Sequence, residues 1–321
     1  RFNSDSQKLE YWNGGAWFQI KTFSPNFGNS PVGVRGLWMG KFDDSSNTGT
    51  IDFITISSTG NATDYGDLIN SYQFYGGACS SHTRWVQFGG HNGNHTDQMQ
   101  YGEISTTGNG IDFGDLQNST QYNPSGVGNK TRGIRMGGSI SPSGGAQNNM
   151  DYWQYQTTGN AFDFGDLVAA KRFSYSANSP TRGILSGGDH TNPALGDAIN
   201  QYVLIASKGD AFTFGDLSSV VQYVGGNGAC CNAVKGTDIE AIFLSTFGES
   251  FKFGDLSVGR NNLGSTSSAT RGVWAGGYSP SYVNTIDYLN IATGGTAVDF
   301  GDRTVGGSYL SGCSNGHGGL G

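Results

Sequence analysis

The chain has 321 residues, 54 of them glycine, with 12% aromatic content and a formal net charge of −7 from 18 Lys+Arg against 25 Asp+Glu. Glycine at this level without a Gly-X-Y period excludes collagen, and the aromatic content excludes a disordered tract. The acidic balance excludes nucleic acid as a partner gripped through its phosphates, since such a grip needs basic side chains to displace counterions.

No run of about 18 apolar residues is present, so no membrane insertion is expected. The start, Arg1-Phe2-Asn3-Ser4-Asp5, has neither an initiator Met nor a signal-peptide apolar core, and reads as a fragment or processed end of a soluble protein. Residues 1–30 form a lead-in, in which Lys8 to Ile20 reads as an apolar-rich hairpin around Asn13-Gly14-Gly15.

From residue 31 the chain repeats itself. Each copy opens on a Thr-Arg-Gly-like step at Arg35, Arg84, Arg132, Arg182, Lys235 and Arg271, followed by a short apolar segment that mostly ends in Gly-Gly, such as Gly272 to Gly277. A loop of variable sequence then leads into an alternating run, such as Thr285 to Ile291, which reads as a strand. The run ends at Thr-Gly-Asn or an equivalent, as at Thr107-Gly108-Asn109, expected to be a tight two-residue hairpin turn. An aromatic-Gly-Asp strand returns, and a fourth segment, such as Ser71 to Gly77, completes the unit.

The aromatic-Gly-Asp glycines stand at 66, 114, 165, 215, 254 and 301, with differences of 48, 51, 50, 39 and 47. Four short strands in a period near fifty residues make one blade of a β-propeller. The predicted fold is therefore all-β: a propeller of about six four-stranded blades over residues 31–321, after the lead-in hairpin. After Asp302 the chain supplies one more fourth segment, Gly307 to Cys313, which is expected to close the ring on the blade holding Arg35 to Leu68. The fifth repeat is short between Cys231 and Asp238: either its second strand is truncated or the ring is irregular there.

Several residue sets are candidates for chemistry. Six cations (Arg35, Arg84, Arg132, Arg182, Lys235 and Arg271) and six anions (Asp67, Asp115, Asp166, Asp216, Asp255 and Asp302) occur once per repeat. They suggest a repeated Arg–Asp pair that holds the scaffold, the alternative being a charged ring lining a pore. Asp64, Asp112, Asp163 and Asp299 precede four of the aspartates by three residues, a spacing conceivable for calcium, but Thr213 and Lys252 replace that residue in the other repeats. His91 and His95 are the one close histidine pair, and a loop does not hold their rings on one face, so no metal site is assigned.

Cys79, Cys230, Cys231 and Cys313 lack zinc spacing and read as small buried thiols. Cys79 and Cys230 lie five residues before Arg84 and Lys235, where the other repeats carry Val127, Ala177 and Thr266, and Cys313 joins them through ring closure. No Ser-His-Asp order, nucleophile elbow or phosphate-cradling loop is present, so the chain reads as non-enzymatic and without a cofactor.

The Gly-Gly strand ends followed by a later aromatic resemble kelch-type propeller repeats. The start Arg1-Phe2-Asn3 with Leu9-Glu10-Tyr11-Trp12-Asn13-Gly14 and Ala16-Trp17 resembles a lead-in of bacteriophage tail and tail-fibre proteins. The Thr-Arg-Gly, Gly-Gly and Asp-Phe-Gly-Asp-Leu repeats are similar to those of structural proteins of tailed phages. The resemblance implies a virion structural protein in an extracellular particle, with other virion subunits and a host-surface glycan or protein as partners.

The binding surface is expected on the loops after the Gly-Gly strands, which differ between repeats while their flanks stay alike: His91, Asn94, His95, Asp189, His190, Asn192, Tyr278 and Tyr282. The alternative is a secreted or cell-surface lectin-like propeller. An oxidase-like propeller is a further rival, lowered by the absence of a clustered Tyr/Cys/His copper set.

Overall fold

The computed structural model of the chain describes residues 2–3, 8–12, 14–19, 34–43, 47–70, 75–91, 96–120, 124–140, 145–190, 196–221 and 231–316. Every regular element among them is a β-strand, in six four-stranded sheets and one three-stranded sheet. The six sheets are the blades of a β-propeller. The small sheet is the lead-in, Phe2–Asn3, Lys8–Trp12 and Trp17–Gln19, whose cross-strand pairs Tyr11/Phe18 and Trp12/Trp17 are exposed.

Blade one joins both ends of the propeller. Its inner strand, Ser311–Ser314, pairs antiparallel with Arg35–Lys41, and Thr48–Thr55 and Thr63–Asp67 follow outward. The closure expected from the extra C-terminal segment is thus formed, with an outlying bridge between Phe42 and Ser308. Four blades are continuous in sequence. Blade two is Gly77–Ser80, Arg84–Phe88, Thr96–Glu103 and Ile111–Thr120. Blade three is Ser125–Gly128, Arg132–Met136, Gln147–Gln154 and Phe162–Lys171. Blade four is Tyr175–Asn178, Arg182–Ser186, Asp197–Leu204 and Phe212–Val221. Blade six is Gly264–Ser267, Arg271–Ala275, Thr285–Asn290 and Val298–Asp302.

Blade five corrects the sequence reading. Its described strands are Cys231–Lys235, Asp238–Ala241 and Phe251–Asp255, and Gly295–Thr296 from blade six pairs parallel to the last of them. The second strand is present; the shortened parts are the loop after it, cut to Gly236-Thr237, and the third strand, which has 4 residues against 8 in blades one to four. Lys235 therefore ends a second strand, whereas Arg84, Arg132, Arg182 and Arg271 each begin one. The equivalence of Lys235 with these arginines falls, and with it the offset that matched Cys230 to Cys79. Cys230 itself lies outside the described residues.

Four of the five described inner strands are built from small residues because they crowd one axis, the exception being Tyr175–Asn178 of blade four. Gly77–Ser80, Ser125–Gly128, Gly264–Ser267 and Ser311–Ser314 contain nothing larger than valine. A Cβ on Gly126 would lie 2.5 Å from the Ala78 carbonyl oxygen of the neighbouring blade. An inner strand is a sheet edge with unpaired backbone groups, and side chains of adjacent blades satisfy them. Ser80 Oγ donates to Ser314 O (2.7 Å), Ser176 Oγ to Gly126 O (2.7 Å), Asn178 Nδ2 to Gly128 O (2.7 Å) and Thr266 Oγ1 to Cys313 O (2.8 Å). Cys79, Val127, Ala177, Thr266 and Cys313 are each the third residue of an inner strand, as expected for this set, and both of these thiols are free and buried.

The apolar core lies between successive blades. One cluster joins Val127, Ile134 and Met136 of blade three to Leu185, Val203 and Ile205 of blade four. Volume is conserved across blades by exchange: Trp85 faces Gly102 across blade two, and Gly133 faces Trp153 across blade three. Each third strand also carries a buried polar residue beside a register shift: Asp52, Gln100, Asp151, Gln201, Glu240 or Asp287. Most reach back to the preceding blade, as Gln100 Oε1 accepts from Ile69 N (2.7 Å) and Asp287 from Ser257 Oγ (2.7 Å).

The repeated arginines and aspartates do not meet. Arg35, Arg84, Arg132, Arg182 and Arg271 lie over the third-strand aromatics Phe53, Tyr101, Tyr152, Tyr202 and Tyr288, with the guanidinium carbon 4.4 to 5.5 Å from the ring centroid. Each donates from Nη1 to a carbonyl of the next blade, at Ile104, Tyr155, Ile205, Leu244 and Ile56, over 2.8 to 3.0 Å. The inner strands line the axis, so these arginines do not form a pore.

The aspartates act through their backbone. Asp115 N donates to Asn160 Oδ1 (3.1 Å) while Asp115 O accepts from Ala161 N (2.8 Å), and Phe113 O accepts from Gly159 N (2.7 Å). The same clasp recurs from Tyr65-Gly66-Asp67 to Gly108-Asn109-Gly110 and from Phe300-Gly301-Asp302 to Gly60-Asn61-Ala62. The Thr-Gly-Asn segments are therefore not two-residue turns: they run along the outer strand of the preceding blade.

Candidate functional site

Strand direction divides the ring into two unlike faces. An inner strand starts on the face where the preceding outer strand ends, and the second strand returns there, so the outer-to-inner and second-to-third connections share one face. The opposite face carries the arginine contacts and clasps, repeated from blade to blade. The first face does not repeat.

At its centre four residues stand two positions before their inner strands with left-handed backbone: Tyr75 (φ 59°), Phe173 (φ 52°), Asn262 (φ 57°) and Tyr309 (φ 56°). A side chain with a Cβ is disfavoured there by about 1–2 kcal/mol, least so for asparagine. Ring packing offsets the strain at the three aromatics. Tyr75 and Tyr309 lie with centroids 4.2 Å apart, and Phe173 is 6.2 Å from both.

Phe42, just beyond the second strand of blade one, completes the cluster at 5.9 Å from Tyr75 and 5.8 Å from Tyr309. The backbone holds it there, since Phe42 and Ser308 exchange N–H···O bonds of 3.0 Å. From Phe42 the contacts continue to Tyr282 (6.1 Å) and from Tyr282 to Tyr278 (5.1 Å), which is 44% exposed. A continuous aromatic strip therefore runs from the axis to the loop of blade six.

Charge around the strip is already paired. Lys41 binds Asp43, Arg172 binds Asp189 (2.9 Å), Lys171 binds Asp197, and Arg260 binds Asp287 (2.7 Å) and the Gly276 carbonyl (2.8 Å). Asn262 is 9% exposed, its backbone carbonyl accepts the Tyr309 N–H (2.8 Å), and its Oδ1 has no hydrogen-bond partner. Such a surface can stack on an apolar face. The inner-strand thiols are not nucleophiles at neutral pH: burial pushes Cys79 up to about 12, against a lowering hydrogen bond from Tyr155, and raises Cys313 as well. Among the described residues no three His, Cys, Asp or Glu side chains are grouped to hold a metal.

Of the loop residues expected to bind, Tyr278 and Tyr282 are brought together in the strip. His91 and His190 are half-buried on the same face. Asp189 is fully buried and spends its carboxylate on Arg172, so it holds the loop rather than facing a partner. Asn94, His95 and Asn192 lie outside the described residues. Sequence reasoning missed Phe42, Tyr75, Phe173, Asn262 and Tyr309. For all but Phe42 the signal is a large or amide residue two positions before an inner strand, as in Tyr75-Gly76-Gly77 and Tyr309-Leu310-Ser311, which reads like the start of the strand itself.

No protein-family model matches the chain, and no curated protein matches it.

Proposed function

We propose that this propeller is a non-enzymatic virion structural protein, a tail-fibre or appendage component of a phage, that contributes to host-surface attachment through its non-repeating face. One contrast carries the reading: the same contacts recur around one face, while the other gathers dissimilar loops and a continuous aromatic strip. A scaffold whose loops are free to differ suits recognition.

The repeating face suits assembly. Phe162, Phe212, Phe243, Phe247 and Leu204 are exposed along its rim. Phe243 lies 5.3 Å from Phe251, and Phe247 5.3 Å from Tyr202. An apolar rim of this kind fits a neighbouring subunit, leaving the aromatic strip outward.

Labelling purified particles with antibody against residues 34–316 tests the location, with tail appendages expected to be marked. Tyr278→Ala with Tyr282→Ala is expected to leave particle assembly intact and reduce adsorption to the host. A free protein with no label on any particle would overturn the virion reading and leave the lectin-like one.

A further inference from the structure

We propose that blades four and five carry a self-association patch on the repeating face, through which two copies of this chain pair about a two-fold axis. The proposal rests on reading that face as an assembly surface, and names its partner as a second copy.

The first ground is where the face stops repeating. The last residue of the third strand is polar in blades one, two, three and six, at Thr55, Glu103, Gln154 and Asn290. Blade four has Leu204 there, and blade five has Phe243, placed by its neighbour: Leu244 O accepts from Arg182 as Ile205 O accepts from Arg132. The residue before the clasp glycine is Thr59, Thr107 or Thr158 in the first three blades, but Lys208 in blade four and Phe247 in blade five. The outer strand begins on phenylalanine in blades three to five, at Phe162, Phe212 and Phe251. The clasps of blades four and five still form, from Gly209 N to Phe164 O and from Gly248 N to Phe214 O, so ring closure does not call for these apolar side chains.

The second ground is continuity and area. Phe212 lies 5.4 Å from Tyr202, which lies 5.3 Å from Phe247. A turn bond from Thr246 N to Phe243 O ties Phe247 to Phe243, which lies 5.3 Å from Phe251. Leu204, Phe212, Phe243, Phe247 and Phe251 are 38–68% exposed, and together leave roughly 500 Å² of apolar surface open. One side of a standard interface is about 800 Å², a little over half of it apolar, so this arc matches what each copy of a dimer contributes. A single patch that pairs with itself closes as a two-fold dimer rather than growing into a filament.

The third ground is charge. Lys208 and Asp210 flank Gly209 in blade four, and Glu249 follows Gly248 in blade five. Both signs beside one apolar arc let a two-fold axis set the cation of one copy against an acid of the other, whereas a uniformly acidic arc would repel its own copy.

Sedimentation velocity and light scattering on the full chain test this. The protein is expected to show the mass of two chains at about 100 μM, well above the micromolar limit of affinities that interfaces of this size reach. The pair should persist at about 0.5 M salt, where charge contacts are screened and apolar ones remain. Phe243→Gln with Phe247→Thr, which restores the residues of blade three, is expected to weaken pairing about a hundredfold. Val168→Thr, an exposed residue of the blade three outer strand nearer the opposite face, should leave the pair unchanged. Far-UV circular dichroism verifies the fold of each variant.

A monomer at that concentration, a trimer, a pair that dissociates in salt, or a pair that survives in the folded double variant overturns the self-pairing. A monomer whose double variant fails to enter particles overturns it while leaving the assembly reading of this face intact. Pairing lost in the double variant of a protein absent from particles supports it while overturning the virion reading.

Discussion

Arg303 shows how one residue distinguishes the seam of the ring. Five blades follow Gly-Asp with a buried leucine, at Leu68, Leu116, Leu167, Leu217 and Leu256, and blade six has Arg303. Its Nη2 lies 2.8 Å from Oδ2 of Asp52 in blade one, both side chains being fully buried. This is a charge contact without aligned hydrogen-bond geometry, and Nε and Nη1 also have no hydrogen-bond partner. Burial lowers the arginine pKa, opposed by the Asp52 charge. Desolvating two ions offsets most of their attraction, so the pair adds little net stability, but it makes the join between blades six and one unlike the others. Arg303→Leu alone strands Asp52, and is expected to cost about 3–5 kcal/mol in urea denaturation. Arg303→Leu with Asp52→Leu is expected to recover most of that loss. A neutral single substitution would show that the pair does not hold the seam.

Between blades, the repeating element is the clasp, and its glycines are where the sequence pattern acquires a physical cause. Gly301 has φ 146°, and a Cβ there would sit 2.5 Å from the Gly60 carbonyl oxygen of blade one. Gly60 has a similar φ of 151° but open space around it. Alanine at either position incurs backbone strain of about 1–3 kcal/mol. Gly301→Ala adds a collision with the neighbouring blade, and should cost roughly 1–3 kcal/mol more than Gly60→Ala in thermal or urea unfolding. Equal losses would mean that the close approach is not limiting. Both markers were legible as repeats, but their roles were not. Periodicity records that Arg84 and Asp115 recur, while the hydrogen-bond acceptors and donors that recur with them from blade to blade are backbone groups: the Tyr155 carbonyl for Arg84, which also pairs with Glu103 in its own blade, and the Ala161 N–H for the Asp115 carbonyl. A carbonyl belongs to every residue and leaves no mark in a sequence, so opposite charges at equal frequency suggested a pairing that the fold does not make.

At the scale of the ring, architecture was readable because each blade repeats the demands of the last, whereas the binding face was not. Phe42, Tyr75, Phe173 and Tyr309 come from three blades, and meet only because the chain closes. Blade five was misread for a related reason: Lys235-Gly236 resembles Arg-Gly, but loss of the loop after the second strand moves it to that strand's other end. Closure itself is concentrated in Ser311–Ser314. This strand pairs with Arg35–Lys41, accepts from Ser80 Oγ of blade two at Ser314 O (2.7 Å), and accepts from Thr266 Oγ1 of blade six at Cys313 O (2.8 Å). Asn315 Oδ1 also accepts from Arg35 N (2.8 Å). One strand thus joins three blades, and Cys313 belongs to the core shared by Leu37, Met39 and Ala78. Deleting residues 304–321 removes all of this together and leaves Arg35–Lys41 as an unpaired edge around the axis. The truncated protein is expected to lose its single cooperative melting transition and to aggregate through that edge, whereas Ser314→Ala, which removes the hydroxyl bond to Ser267 O and the one accepted from Gly316 N, should shift melting slightly and keep one transition. An unchanged single transition after the deletion would show that the ring is held by its blade-to-blade clasps rather than by its closing strand.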